Sequence, residues 1–240
     1  MNPKKFYNLD ISSIQSIHEL HVPSAICTNC RLIHEDSYTT ICSVCGMNTL
    51  TELNKNKSNF NSSNIYNYLK NYLEIHSVKK RYFSIEPVLE KLLMNAKMYV
   101  HFCTYTIDKL VLDMLERVAS NGVQVAGVVG LSSKILPNIE RLNNKFPGVC
   151  KIIPWESATE NKYNLPHQKF IIIDGMICFA GSMNLTKDGF SKLDQNPPFE
   201  LFLPVTNIDD IVAINNEYLT PLFVPEKAND IWYNFIDEDI

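Results

Sequence analysis

The sequence predicts an α/β layered domain, with a central mixed, mostly parallel sheet flanked by helices, preceded by a small cysteine module. Three observations predict it. After residue 64, short apolar runs suited to buried strands alternate with segments of helical period. Two Cys-x2-Cys pairs fall within the first 50 residues. Between the two parts, Asn54 to Asn64 (NKNKSNFNSSN) is polar, rich in Asn, Ser and Lys, and has no apolar period, so it reads as a linker. The expected division is a module over 1–53, a linker over 54–64 and a domain over 65–240.

The elements of the domain follow in order. Ile65, Tyr66, Tyr68, Leu69, Tyr72 and Leu73 recur at helical spacing. Ser84 suits the cap of a second helix with Val88, Leu89, Leu92 and Leu93 as its buried stripe. Met98 to Cys103 (MYVHFC) is a strand. Asp108 then caps a helix carrying Leu112, Leu115 and Val118, closed by Gly122 in the left-handed conformation. Val123 to Val129 is a strand, Pro137 to Lys145 a helix and Val149 to Ile153 a short strand. Lys169 to Ile173 and Met176 to Ala180 form two more strands, turned at Asp174-Gly175. Lys187 to Phe199 reads as a loop, Leu201 to Val205 as a strand, and Ile208 to Leu219 as a helix capped by Asn207.

Composition bounds the class. The 240 residues are 45% hydrophobic and 20% charged, ordinary values for a soluble globular protein. The net charge of -4 does not advertise nucleic-acid binding, though a local basic patch can sit on an acidic chain. Basic residues cluster at Lys79, Lys80 and Arg81, and Asp237, Glu238 and Asp239 make an acidic end. No apolar run approaches the roughly 18–20 residues of a membrane helix, and the first residues, MNPKKFYNLDISS, show no secretory pattern. Seven cysteines, an odd number with two close pairs, fit a reducing compartment and a metal site better than a disulfide framework. A cytoplasmic protein without stable membrane insertion is expected.

Cys27-Thr-Asn-Cys30 and Cys42-Ser-Val-Cys45 are separated by eleven residues. Four thiolates so spaced can close tetrahedrally on Zn²⁺, and Gly46 suits the sharp turn after the second pair. The stretch from about Ala25 to Leu50 resembles a zinc ribbon. Four protein ligands leave no open coordination position, so a structural Zn²⁺ is expected, whose loss loosens the module and spares the α/β core. The module is also expected to help hold nucleic acid or a partner protein. Cys103, Cys150 and Cys178 lie in predicted strands and read as core residues.

The stretch LPHQKFIIIDGMICFAGSMNLT carries the chemistry. His167, Lys169 and Asp174 stand as His-x-Lys-x4-Asp, followed by Gly175 and by Gly181-Ser182-x-Asn184. This is similar to the catalytic "HKD" motif of the phospholipase D superfamily. The resemblance extends back through LLMNAKMYVHF and DMLERVASNGVQVAGVVG, and forward to Glu200 in PPFELFLPV, so it covers the chain from Ser84 onwards. Pro197-Pro198 stand where relatives often have an asparagine near the acid. The resemblance implies a phospholipase D-like sandwich and phosphodiester chemistry that needs no metal.

Physical chemistry gives each residue a task. A phosphodiester is shielded by negative oxygens, so attack needs cations and donors around phosphorus. Alternate residues of a strand share a face, which puts His167 and Lys169 on one side. Lys169 can hold a phosphoryl oxygen, and Ser182 and Asn184 can add a hydroxyl and an amide donor. A neutral His167 imidazole can attack phosphorus if a carboxylate on its other nitrogen fixes the tautomer, and Glu200 is the candidate partner. Asp174 is expected to be a structural acceptor that holds a turn or loop backbone. Each residue alone is as well explained by turn formation, capping or solvation; the combination in this order is not.

Superfamily chemistry implies two motifs, one histidine as nucleophile and the other as general acid. This chain has one, so a homodimer with both motifs at a shared cleft is expected, an arrangement that resembles the nuclease branch. The leading expectation is a nucleic-acid phosphodiesterase, an endonuclease on DNA more readily than RNA, acting through a phosphohistidine. The alternatives are a lipid phosphodiesterase or transferase with the same residues, and a binding or assembly subunit of a larger complex.

Overall fold

The computed structural model describes residues 25–34, 41–47, 50–52, 85–130, 134–155, 167–193, 200–205 and 207–224. The expected helix over Ile65 to Leu73, the linker 54–64, the Ser84 cap, the basic cluster at Lys79 to Arg81 and the acidic end at Asp237 to Asp239 lie outside the described residues.

A six-stranded mixed sheet forms the centre. Its strands are β4 (Tyr99–Thr104), β5 (Gln124–Gly130), β6 (Cys150–Trp155), β7 (Phe170–Ile173), β8 (Ile177–Gly181) and β9 (Phe202–Val205), in the spatial order β6-β5-β4-β7-β8-β9. β4, β5 and β6 pair in parallel; β7, β8 and β9 each run antiparallel to the strand before them in the sheet, so four of the six share a direction. The parallel half needs crossovers, and helices α2 (Lys109–Ser120) and α3 (Leu136–Lys145) supply them. Both edge strands carry a proline, Pro154 in β6 and Pro204 in β9. A proline cannot donate to a further strand, which blunts the edge.

The two faces are covered differently. On one, α1 (Ile85–Asn95), α2 and α3 bury Val88, Leu92, Leu112, Leu115 and Leu142 against Val100, Phe102, Ile171 and Phe179. Burial of each such side chain is worth about 1.5–3 kcal/mol. Asp108 caps α2 through the Val111 N–H at 3.2 Å, and Gly122 follows it at φ +77°, both as the sequence predicts.

On the other face, Tyr99, Cys103, Val128, Phe170, Ile172 and Cys178 pack against two layers at once. One is the C-terminal helical segment: α5 (Ile208–Ile214), a π-helical turn (Asn215–Leu219) and a short α6 (Thr220–Phe223). The other is the cysteine module, whose Ile26, Cys27, Cys30, Leu32, Ile33 and Cys42 join the same core. Its strands β1 (Ala25–Cys27), β2 (Ile33–His34) and β3 (Leu50–Glu52) form a small antiparallel sheet in the order β2-β1-β3. The module therefore shares a core with the central sheet, and its loosening on metal loss would expose part of that sheet.

Two other readings change. The single helix expected over Ile208 to Leu219 is broken by the π turn, which aims two asparagines at the module. Asn215 meets His101 Nδ1 through Oδ1 at 2.6 Å and donates through Nδ2 to the Arg31 carbonyl at 2.9 Å. Asn216 accepts from the Ile33 N–H at 2.9 Å and donates to the Ile33 carbonyl at 3.0 Å. The segment read as a loop after Thr186 begins with helix α4 (Lys187–Leu193). The Thr186 hydroxyl accepts from the Gly189 N–H at 3.0 Å, and Phe190 is buried in the main core.

A candidate active site and a candidate metal centre

The antiparallel half of the sheet brings the site together. The C-terminal end of β4, the start of β7, the end of β8 and the start of β9 all lie at one end of the sheet, where ligand sites of open α/β sheets are found. Lys169 precedes β7 and accepts the Gly181 N–H on its carbonyl at 3.0 Å; Ser182 N donates to the Leu201 carbonyl at 2.8 Å. Lys169, Ser182 and Glu200 thus come from three adjacent strands.

Lys169 is buried at 6% exposure, and its Nζ lies 3.0 Å from His167 Nδ1 and donates also to the His167 carbonyl. His167 itself is exposed. Burial lowers the Lys169 pKa, and Cys103 and Glu200 oppose that by favouring the charged form. Burial pushes the Cys103 thiol up to about 12, and the Lys169 charge opposes that rise.

Glu200 has a different partner from the one expected. Its Oε2 accepts from the Ser182 hydroxyl at 2.6 Å, and the Ser182 oxygen accepts from the Leu201 N–H at 2.9 Å. His167 Nδ1 is instead occupied by Lys169. Within one chain, then, Glu200 does not fix the imidazole tautomer, and the Ser182 proton is committed to Glu200. Asn184 sits where its Oδ1 is in reach of the Thr104 hydroxyl and the Thr106 N–H, both at 3.4 Å, contacts that do not use its amide donors.

Asp174 is at the far end of β7, about 16 Å from Lys169 at strand rise. Its carboxylate accepts from the N–H groups of Met98 at 2.8 Å, Tyr99 at 3.0 Å and Lys97 at 2.9 Å. Asp174 (φ 55°) and Gly175 (φ 67°) form the left-handed pair of a tight hairpin turn. The structure therefore separates Asp174 from the other motif residues and gives it the backbone-holding position that the sequence reading assigned.

Tyr105 is the residue that sequence reasoning missed. Its ring is 5.5 Å from the His167 ring and 5.9 Å from Lys169 Nζ, with 37% of the residue exposed. Gly130 makes room for it, since a Cβ there would meet the Tyr105 carbonyl at 2.4 Å. The available signal was position: the polar stretch TYTID follows a fully buried strand in an α/β sheet. The same stretch is sewn to the motif by Asp108, which accepts from the Lys187 N–H at 2.6 Å.

At the module, the sulfurs of Cys27, Cys30, Cys42 and Cys45 all lie within 4.8 Å of one another. Cys27 and Cys45 are 3.6 Å apart and Cys30 and Cys42 3.4 Å, with no disulfide. The edge of a tetrahedron with metal–sulfur bonds of about 2.3 Å is about 3.8 Å, so the four residues fit a structural metal ion. The hydrogen bond with Cys27 and burial push the Cys30 pKa up, and burial pushes that of Cys42 up. Burial lowers the pKa of both Arg31 and Lys151, and the Cys27 and Cys30 sulfurs oppose that shift.

Comparison with known proteins gives a family match over these residues. The family described as "Cardiolipin synthase, PLD-like domain" matches residues 89–206, a span that contains every residue of the candidate active site. No curated protein matches the chain. Among solved structures, NucT from Helicobacter pylori is 22% identical with a TM-score of 0.45, covering 57% of this chain and 86% of that one. Nuc from Salmonella typhimurium, a phospholipase D family member, is 17% identical with a TM-score of 0.41, covering 61% and 86%. Phosphatidylserine synthase from Haemophilus influenzae is 13% identical with a TM-score of 0.37, covering 65% and 45%. The ordered motif, its place at one end of the mixed sheet and the family match over 89–206 lead to one conclusion: the α/β domain of this chain belongs to the phospholipase D superfamily.

Proposed function

We propose that the protein is a nucleic-acid phosphodiesterase, an endonuclease on DNA in preference to RNA. It works through a phosphohistidine on His167 in a homodimeric site that needs no catalytic metal. The carrying observation is the buried ammonium of Lys169 held 3.0 Å from the exposed His167 imidazole. A charged ammonium only donates, so it occupies the Nδ1 lone pair. A phosphoryl oxygen that takes over the ammonium releases Nδ1, and the imidazole is then free to present a nucleophilic nitrogen to the same phosphorus. Glu200, anchored by Ser182, favours the charged form of Lys169 for that task. The Asn184 amide supplies a further donor to the developing oxyanion.

The exposed Tyr105 ring beside this pair supports nucleic acid over lipid, because an unpaired base next to the scissile phosphate can stack on it. With one motif per chain, the leaving oxygen draws its proton from the His167 of a second copy. The four cysteines hold a structural Zn²⁺ that takes no part in the reaction. Among the described residues, no helix is long and apolar enough to cross a membrane.

The test is incubation of the purified protein with single-stranded DNA, double-stranded DNA, RNA and phospholipid vesicles in brief EDTA, beside His167→Ala. The proposal expects DNA cleavage that His167→Ala abolishes. Headgroup release from vesicles with intact DNA would assign the lipid reading, and inactivity on all four substrates would favour an assembly subunit.

A further inference from the structure

The two cysteine knuckles share one backbone design. In each, the residue after the second cysteine adopts a left-handed conformation and donates its N–H to the carbonyl of the first. Gly46 does so at φ +69° to Cys42, and Arg31 at φ +66° to Cys27, both at 2.9 Å. Glycine takes that conformation freely, whereas an arginine takes it under strain. Turn geometry therefore does not explain why the first knuckle carries an arginine.

Its surroundings do. Arg31 is 2% exposed, and its Nε and Nη1 have no hydrogen-bond partner among the described residues. None of the ion pairs among the described residues involves it. A buried guanidinium without a counter-charge is strongly unfavourable. A second cation approaches from the central sheet: Lys151, on β6, donates through Nζ to the Asn29 carbonyl inside the same knuckle at 3.2 Å. Both cations lie over the Phe223 ring, Arg31 at 5.9 Å and Lys151 at 5.2 Å. As four thiols the sulfurs carry no charge to balance them. As four thiolates around a divalent ion they carry two net negative charges, one for each cation.

We infer that Arg31 and Lys151 are the counter-charges of a divalent-metal tetrathiolate at Cys27, Cys30, Cys42 and Cys45, and that this ionic contact fastens the metal module to the catalytic sheet. The inference rests on the reading of the four cysteines as metal ligands. Metal loading then neutralises the buried Arg31 and the half-buried Lys151 beside Phe223. The metal becomes part of what holds β6 and the C-terminal helical segment in place.

The experiment measures Zn²⁺ affinity by competition with a chromophoric chelator, together with thermal midpoints of zinc-loaded and metal-free protein. It uses the full chain and the variants Arg31→Gly, which keeps the turn, and Lys151→Met. Partners of this kind change metal affinity about 10- to 100-fold, so each variant should bind zinc weaker by that factor. The gap between loaded and metal-free midpoints should narrow, with the metal-free midpoint falling less than the loaded one. Affinities within threefold of the unmodified protein, with both midpoints falling equally, would make Arg31 and Lys151 packing residues and overturn the inference alone. An unmodified protein that takes up no zinc would overturn the metal reading itself. If Arg31→Gly does not fold, Lys151→Met carries the same decision.

Discussion

The aspartate of the motif offers a sharp separation of structure from chemistry. Asp174 is 1% exposed and receives three backbone N–H groups from the residues that lead into β4. Replacement by alanine leaves the buried N–H groups of Met98 and Tyr99 without partners, at about 2 kcal/mol each. It also puts a Cβ residue without a polar tip at φ 55°, at roughly 1 kcal/mol. Against this, a buried charge is removed. Burial outweighs the three donors and raises the Asp174 pKa from 3.8 to about 6, a shift equivalent to about 3 kcal/mol against the ionised form. The net cost of Asp174→Ala at neutral pH is then about 2 kcal/mol, a fall in Tm of about 4–8 °C for a domain of this size. Because its folded pKa is raised, the carboxyl's own contribution declines as pH rises from about 4 through 6, and that component disappears in the variant. The assay is thermal unfolding beside single-turnover cleavage well below the midpoint, where Asp174→Ala should cleave at a near-normal rate. An unchanged Tm with abolished cleavage would refute the reasoning and return Asp174 to the reaction.

Three further outcomes are expected. Burial holds His101 neutral with its pKa lowered to about 3, so its contribution is present above about pH 6.5 and lost as pH falls toward 3, on the order of 5 kcal/mol; urea unfolding across that range should show the loss, and His101→Gln should flatten it. Tyr105→Ala should raise KM for single-stranded DNA about 10- to 100-fold, one stacked base being worth about 1–3 kcal/mol, while Tyr105→Phe stays near normal; an unchanged KM would remove Tyr105 from substrate binding. Heterodimers of unmodified chain with His167→Ala, purified through two tags, should have little activity. Retention of half the normal rate would show each chain acting alone.

Much of this architecture was legible because strands and motif obey short-range rules. The strand expected over Met98 to Cys103 is observed at Tyr99–Thr104, and that over Lys169 to Ile173 at Phe170–Ile173. The Asp108 and Asn207 caps are found where the residue types predict them. What was not legible depends on contacts distant in sequence. Asn215 and Asn216 look like ordinary polar residues on a helix until Arg31 and Ile33, more than 180 residues away, are seen to need them. The packing of the module against the central sheet rests on the same kind of distant contact. Glu200 was assigned to His167 from chemical need, but its neighbour across β8 and β9 is Ser182. Tyr105 stayed hidden because an exposed tyrosine after a strand carries no signal until Lys169 and His167 are placed beside it.

The central claim is that His167 becomes covalently bonded to phosphorus during cleavage. Single-stranded DNA with ³²P at internal phosphates, incubated briefly with the protein in EDTA and quenched in alkaline denaturant, tests it most directly. The account predicts labelled protein that appears before product accumulates, carries the label on the peptide containing His167 and loses it in acid, as a phosphoramidate should. Cleavage that proceeds without labelled protein, or that persists in His167→Ala and requires added Mg²⁺, would contradict it.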